Sequence, residues 1–381
     1  MRPHPLPASE YELLGHSPGK EADMYPQLRI DLSKINRNLD AVVSIAKQGG
    51  CSLMIVTKSF CADEHIVGEI LRNDYVKYLA DSRVRNLATY ADKAHMAGKE
   101  TVLLRLPQMC EIGDVVRYAD ISLNSSAETI ALLNEEAGRQ GRKHKVILMI
   151  DMGDLREGIF FRDEQEIFNA VSQILEMENV TLEGIGVNLT CYGAIIPKPD
   201  NLGGLCEIAE KIEKKFDITL NIVSGGNSSS IYLVPKGELP EKINNLRLGE
   251  SFILGNETAY SNRIAGTAND AVTLRAQIIE LKNKPSVPIG EVGVDAFGNV
   301  PVYEDHGMID RAILAVGRQD VNHEGLTPMN TKASVIGASS DHLLMDVSEE
   351  DYKLGDTVDF SLDYGALMNL FTSEYVEREY I

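Results

Sequence analysis

Short, nearly unbroken apolar runs alternate with longer amphipathic stretches through the first two thirds of the chain. The runs read CSLMIVTK (51–58), YLADS (78–82), TVLLRL (101–106) and ISLN (121–124). They continue with KVILMID (145–151), LEGIGVNL (182–189), LNIVSGG (220–226) and NLRLGES (245–251). Strands apolar on both faces belong to parallel sheets that helices cover on each side. The stretches between them, Ser126–Arg139 and Asn201–Lys215 among them, carry helical spacing. Eight β-then-α units predict an α/β fold, an eight-stranded parallel β/α barrel of the TIM type. An open doubly wound sheet, more often of roughly five to seven strands, is the alternative.

The alternation stops near Leu254. Beyond it VTLRAQIIEL, RAILAV, LLMDV and DTVDFSL are separated by Gly, Pro and Asn, which predicts short strands and turns. We therefore expect a barrel over residues 24–259 and a second, mainly β C-terminal domain over 260–381. The stretch at about 26–32 is a candidate strand of either unit. Residues 1–23 are Pro-bearing and mixed in charge, with no apolar secretion core, and read as a flexible leader.

Charge narrows the function classes. With 37 basic and 57 acidic side chains the net charge is −20, and no basic cluster offers itself to nucleic-acid phosphates. No apolar run approaches the roughly 18–20 residues of a membrane-spanning helix. The five cysteines are odd in number, scattered and without a CxxC pair, which suits free thiols in a reducing compartment. The expectation is a soluble, cytoplasmic protein with no nucleic-acid or membrane partner.

In such a barrel, chemistry gathers where strands end. The first run ends in Lys58. A desolvated lysine there has a lowered pKa and forms Schiff bases; a lysine snorkelling from the rim is the plainer reading. The seventh run ends in SGGNSSSIYL (224–233), whose glycines admit close backbone approach. Asn227 or Ser228 can cap the next helix, and its free N–H groups with the serine hydroxyls make a phosphate cradle. An ordinary Gly turn with a serine cap would look the same. Arg247, in the eighth run, needs an acceptor if it points inward: a core carboxylate such as Glu250, or a cofactor ring nitrogen. The loop DMGDLREG sets Arg156 between carboxylates, fit to grip a substrate carboxylate or simply to be solvated. A Schiff-base lysine, a phosphate cradle and a ring-nitrogen arginine are what pyridoxal 5'-phosphate needs, and a carboxylate arginine suits an amino acid.

These residues, with the strings IVTKSFCADE, YLADSR, LLRLPQMCEIGDVV, YADISLNS, GIGVNLTCYGAIIPK, IVSGGNSSSIYL and LRLGESFILGNETAY, make the chain resemble a known family. It is the pyridoxal-phosphate enzymes of the alanine racemase fold, and within it the racemases of ornithine. The resemblance runs from Tyr25 to Ile381. It implies a cytoplasmic homodimer that interconverts L- and D-ornithine by removing and returning the α-proton from two faces. Lysine, alanine or another amino acid is the alternative substrate, and an aldolase or decarboxylase of the same fold the alternative chemistry.

Carried over by position, Lys58 holds the cofactor and serves one face. Ser228 binds the phosphate, with Asn227, Ser229 and the Gly249 amide in support. Arg247 faces the ring nitrogen, and its fixed charge leaves that nitrogen largely unprotonated. Arg156 receives the substrate carboxylate. Asn188 stands where alanine racemase has a histidine stacked on the ring, so that contact changes character. The family's second base is a tyrosine of the partner subunit's β domain. PIGEVGVDAFGNVPVYEDHG lacks one in the expected place; Asp295 lies nearest, with Tyr303 and His306 further on. Asp295 is the candidate second base, or a contact for the substrate's distal amine. SSDHLLMDV resembles a loop that reaches the partner's site, which makes Asp341 and His342 substrate-binding candidates. No metal is expected, because DFSLDYGALMNLFTSEYVEREYI lacks the His or Cys of the metal-dependent aldolases. The one-domain cofactor-homeostasis proteins that share the barrel lack the β region present here.

Overall fold

The computed structural model describes residues 24–295, 297–298 and 300–381. The leader expected over 1–23 lies outside the described residues. Strand β1 (Gln27–Ile30) and helix α1 (Leu32–Gln48) come first. The barrel strands that follow are β2 (Ser52–Val56), β3 (Tyr78–Asp81), β4 (Glu100–Leu103), β5 (Ile121–Asn124) and β6 (His144–Asp151). A two-residue β7 (Ile159–Phe160) lies beside the end of β6. Then come β8 (Val180–Gly186), β9 (Ile222–Ser224) and β10 (Asn245–Leu248). Between the strands run α2 (Glu64–Arg72), α3 (Val84–Met96), α4 (Ile112–Tyr118), α5 (Ala127–Gln140), α6 (Glu164–Leu175) and α7 (Pro199–Phe216). Two single turns, α8 (Leu233–Lys236) and α9 (Glu250–Ile253), follow β9 and β10.

Neighbouring strands pair in parallel in the order β2, β3, β4, β5, β6, β8, β9, β10, and β10 returns to β2 with Leu248 opposite Ile55. The sheet is therefore a closed eight-stranded barrel, which rules out the open alternative. Side-chain alternation explains the unbroken apolar runs. Met54 and Val56 fill the inside with Val102, Leu123, Ile147 and Met149. Leu53 and Ile55 face the helices together with Leu103 and Leu148. Each face is buried, so both are mostly apolar, and the polar side chains they do carry, such as Ser224 and Arg247, are hydrogen-bonded to each other or to backbone.

The C-terminal unit is mainly β. Its strands are β11 (Val272–Pro285), β12 (Met308–Leu314), β13 (Leu326–Pro328), β14 (Ser334–Ala338), β15 (Leu343–Asp346) and β16 (Thr357–Leu362). Helix α10 (Tyr364–Thr372) and strand β17 (Glu377–Tyr380) end the chain. The antiparallel order is β13, β16, β11, β12, β15, β14. β1 adds to β11 antiparallel and receives β17 in parallel, so the first described strand lies in the last sheet.

That sheet is bolted to the turn after β2. Asp63 caps α2, accepting from His65 N (3.1 Å) and Ile66 N (3.2 Å). It also accepts from Arg378 Nη1 at 2.8 Å and the Tyr380 hydroxyl at 2.6 Å. Phe60 stacks edge-on against Phe252 of α9 and Phe371 of α10, at 6.1 and 6.3 Å between centroids. Among the described residues no helix is long and apolar enough to cross a membrane.

Candidate active site

Lys58 opens a short 3-10 turn (Lys58–Phe60) directly after β2. Its predecessor Thr57 is buried and fixed: its N donates to Ala80 O at 2.8 Å and its hydroxyl to Asp81 Oδ2 at 2.6 Å. Cys61 and Ala62 then take left-handed backbone (φ 48° and 53°), which turns the chain sharply toward α2. The backbone of Lys58 is thus held, but its side chain is exposed at the barrel mouth. The desolvated amine read from the sequence is not formed among the described residues, because the strand has ended before Lys58 and none of them covers it.

The turn after β10 packs against the same corner. A Cβ on Gly249 would lie 3.3 Å from Cβ of Val56, two residues before Lys58. Ser228 Oγ accepts from Gly249 N (3.3 Å) and Ser251 N (3.1 Å), so the loops after β9 and β10 meet through one hydroxyl. Asn227 Oδ1 accepts from Ser229 N at 2.8 Å, and Ser230 Oγ donates to Gly225 O at 2.6 Å. Gly226 has φ +107°, where a side chain would also press on Ser230 Oγ. The helix expected to start at Asn227 or Ser228 does not form there. A run of Asn and Ser side chains bonding to the nearby backbone competes with helix, and only α8 follows, uncapped by any side chain.

Ser229 Oγ is buried without a hydrogen-bond partner. A buried orphan hydroxyl is costly. One residue before it, the Ser228 hydroxyl and the Gly249 and Ser251 amides that donate to it complete a neutral, donor-rich turn. That donor set fits a phosphate.

Arg247 lies fully inside the barrel. Nη1 donates to Ser224 Oγ and Nη2 to Val187 O, both at 2.6 Å. Among the described residues it makes no ion pair, so the pairing with Glu250 open in the sequence is not formed. Burial pulls its pKa down to about 10, which still leaves it charged at neutral pH.

In the loop after β6, Asp151 Oδ1 accepts from Gly153 N (2.8 Å) and Leu155 N (3.1 Å). Asp154 accepts from Tyr192 N (3.0 Å) and Ile195 N (3.2 Å). Both carboxylates accept from loop amides. Arg156 donates from Nε and Nη2 to the two carboxylate oxygens of Glu157. Burial works against its charge, but the bond to Glu157 and that negative charge outweigh it, and the guanidinium is pushed above its ordinary value. The Asn188 amide lies beside the pair. Its oxygen accepts from Asn227 Nδ2 (3.0 Å) and its nitrogen donates to Glu157 Oε1 (3.3 Å). Turned over, its oxygen would meet Arg156 instead, with Nη1 at 2.8 Å.

The structure thus brings Arg156, Asn188, Asn227, Ser228, Ser229, Arg247 and Gly249 to the mouth that Lys58 edges. It does not bring in the β-unit candidates. Asp341 is exposed, accepting from Ser340 Oγ at 2.9 Å, and His342 is exposed too. Among the described residues neither bonds to the barrel mouth of its own chain. Asp295 sits in the connection between β11 and β12, Oδ1 accepting from Phe297 N at 2.9 Å, and Tyr303 and His306 are exposed further along it.

The family described as alanine racemase, N-terminal domain, matches residues 30–256, more than half of the chain. The chain belongs to the alanine racemase family. It is 51% identical to a protein named ornithine racemase from Acetoanaerobium sticklandii, over 93% of this chain and 99% of that one. It is 38% identical to a lysine racemase from Thermotoga maritima, over 94% and 99%. An alanine racemase structure from Bartonella henselae, with covalently bound pyridoxal phosphate, superposes with a TM-score of 0.67 at 15% identity, over 93% and 99%. That likeness establishes the barrel-plus-β-unit fold.

Glu157 and Tyr364 escaped the sequence reading of this family member, and Glu250 was read only as a partner for Arg247. Glu157 was visible only as one more loop charge. Glu250 follows Gly249, and its carboxyl is pushed up to about 7 by burial and then by Asp363, with Lys58 partly opposing. Tyr364, at the start of α10, has its hydroxyl pushed up by burial and by Glu250. No local pattern announces either contact, because α10 reaches the Lys58 turn only through the packing of Phe60 on Phe371.

Proposed function

We propose that this chain is a pyridoxal-phosphate-dependent racemase that interconverts L- and D-ornithine. The substrate rests on the 51% identity, which runs over nearly the whole length of the ornithine racemase. The cofactor rests on the convergence at one barrel mouth of Lys58, a neutral donor cradle and a buried, unpaired arginine. Lysine is the second reading, favoured by the lysine racemase relative.

Pyridoxal phosphate, when bound, supplies an electron sink that makes the substrate's α C–H acidic. Ser228, Ser229, Asn227 and the amides of Gly249 and Ser251 would hold its phosphate. Arg247 would donate to the ring nitrogen without surrendering its own proton, and Asn188 would lie beside the ring. Lys58 would attach the cofactor, then take and return the α-proton on one face. Arg156 would receive the α-carboxylate.

Asp295 is proposed for the second face, with Asp341 and His342 as substrate contacts. All three would come from the β unit of a second copy in a homodimer. The reading divides the chain near residue 260, with the barrel before it and the contributing β unit after it. Free thiols and the absence of a membrane helix among the described residues suit a cytoplasmic enzyme.

The test uses cofactor-loaded protein with L-ornithine in D2O. Loss of the α-proton with D-ornithine rising to equal amounts is expected. Absence of both, with cofactor still bound, would overturn the ornithine reading and send the assay to lysine.

A further inference from the structure

The barrel mouth gathers three cationic side chains, Lys58, Arg156 and Arg247. The carboxylates of Asp151 and Asp154 are taken up by loop amides. Among the described residues Glu157 alone spends both oxygens on one of the three cations, Arg156. Its side chain is 12% exposed against 40% for the arginine, so the neutralising charge lies on the inner side of the pair. The Asn188 amide lies against the pair and ties it to the loop after β8, its nitrogen 3.3 Å from Oε1 in one orientation and its oxygen on Arg156 in the other.

Two consequences follow from this geometry. The Nε and Nη2 edge of Arg156 is occupied by Glu157, and Nη1 faces the Asn188 amide at the mouth. The pair also carries no net charge. An amino acid with a cationic side chain brings one more positive charge than alanine. Gripping the substrate's α-carboxylate, Arg156 alone would form a neutral cluster; with Glu157 the cluster carries one net negative charge, which favours a cationic side chain in a medium less polar than water.

We propose that Glu157 is a specificity-determining residue: by cancelling the charge of Arg156 it lets the site receive an amino acid whose side chain is itself cationic. The inference rests on the reading of Arg156 as the receiver of the α-carboxylate.

Glu157→Gln tests it, because glutamine keeps the shape and one acceptor oxygen while removing the charge. The kcat/KM for ornithine relative to alanine should fall on the order of tenfold. Glu157→Asp, which keeps the charge, should retain most of the ratio. A uniform loss on both amino acids, or an equal fall of the ratio in the aspartate variant, would show a structural role and overturn the proposal.

Acetate binding by calorimetry reads the same charge without turnover. It should tighten several-fold in Glu157→Gln, and the gain should vanish when Arg156→Gln is added. Unchanged acetate binding would overturn the inference even in an active racemase. Tighter binding in a protein that racemises neither amino acid would uphold the charge assignment and sink the ornithine reading instead.

Discussion

Glu250 shows how one buried side chain turns position into pH dependence. It sits at the first position of α9, with Asp363 capping α10 nearby and Lys58 on the adjoining turn. Burial is the largest influence on its carboxyl, the Asp363 charge adds to it, and Lys58 opposes; the outcome is a pKa of about 7, up from 4.5. The folded state therefore holds this proton more tightly than the unfolded chain does. Its contribution to stability is complete below pH 4.5, declines as pH rises through the interval to 7, and is flat beyond. Allowing for its partial exposure, the swing is about 2 kcal/mol. Glu250→Gln cannot ionise and should lack that swing. Urea denaturation at pH 5 and pH 8 should show the variant gaining about 2 kcal/mol on the parent between the two. A constant difference would mean that Glu250 does not titrate in this window. At this scale the sequence exposed the positions of Lys58 and Ser228, because each ends or follows an apolar run, and of Arg247, because a charge interrupts one. It hid the encounter of Glu250 with Tyr364, because that depends on aromatic packing between opposite ends of the chain.

Strands were more legible than the turns that join them. Each barrel strand coincides with an apolar run because both faces are buried, and that requirement is written into every residue of the run. The loop after β9 went astray for the opposite reason: its Asn and Ser side chains satisfy the backbone locally, a choice that residue type alone does not decide. Glycines in the strands carry a sharper message. Gly184 of β8 lies so close to β9 that a Cβ there would fall 1.8 Å from Ile222 O. Backbone cannot yield that distance without opening the pairing. Gly184→Ala should lower stability by roughly 3 kcal/mol or more, read as a fall in the urea midpoint. Gly203 in α7 is the control. Nothing lies within 4 Å of its Cβ position, and its backbone is helical. Gly203→Ala should raise stability by up to about 1 kcal/mol. Equal effects at the two positions would refute the close-approach argument.

The whole molecule leaves its chemistry divided. Lys58 is exposed at the barrel mouth, while Asp341 and His342 are exposed on the β unit, and within one chain they do not meet. Between β11 and β12 the connection exposes Ile289, Val294, Val300 and Val302, each more than two thirds exposed, on the same unit. Apolar side chains so placed favour a protein partner. A two-fold pair of chains would place each β unit over the other's barrel and cover both. The arrangement has a consequence that no single-chain site shares. Chains carrying Lys58→Ala would be inactive, as would chains carrying both Asp341→Ala and His342→Ala. After unfolding and refolding together in equal amounts, half of the pairs would be mixed. In a mixed pair one site holds both sets of defects and the other holds none. About a quarter of the parent activity should therefore return. If every site were built from one chain, no mixture could contain an intact one, and activity would stay at the level of the separate variants.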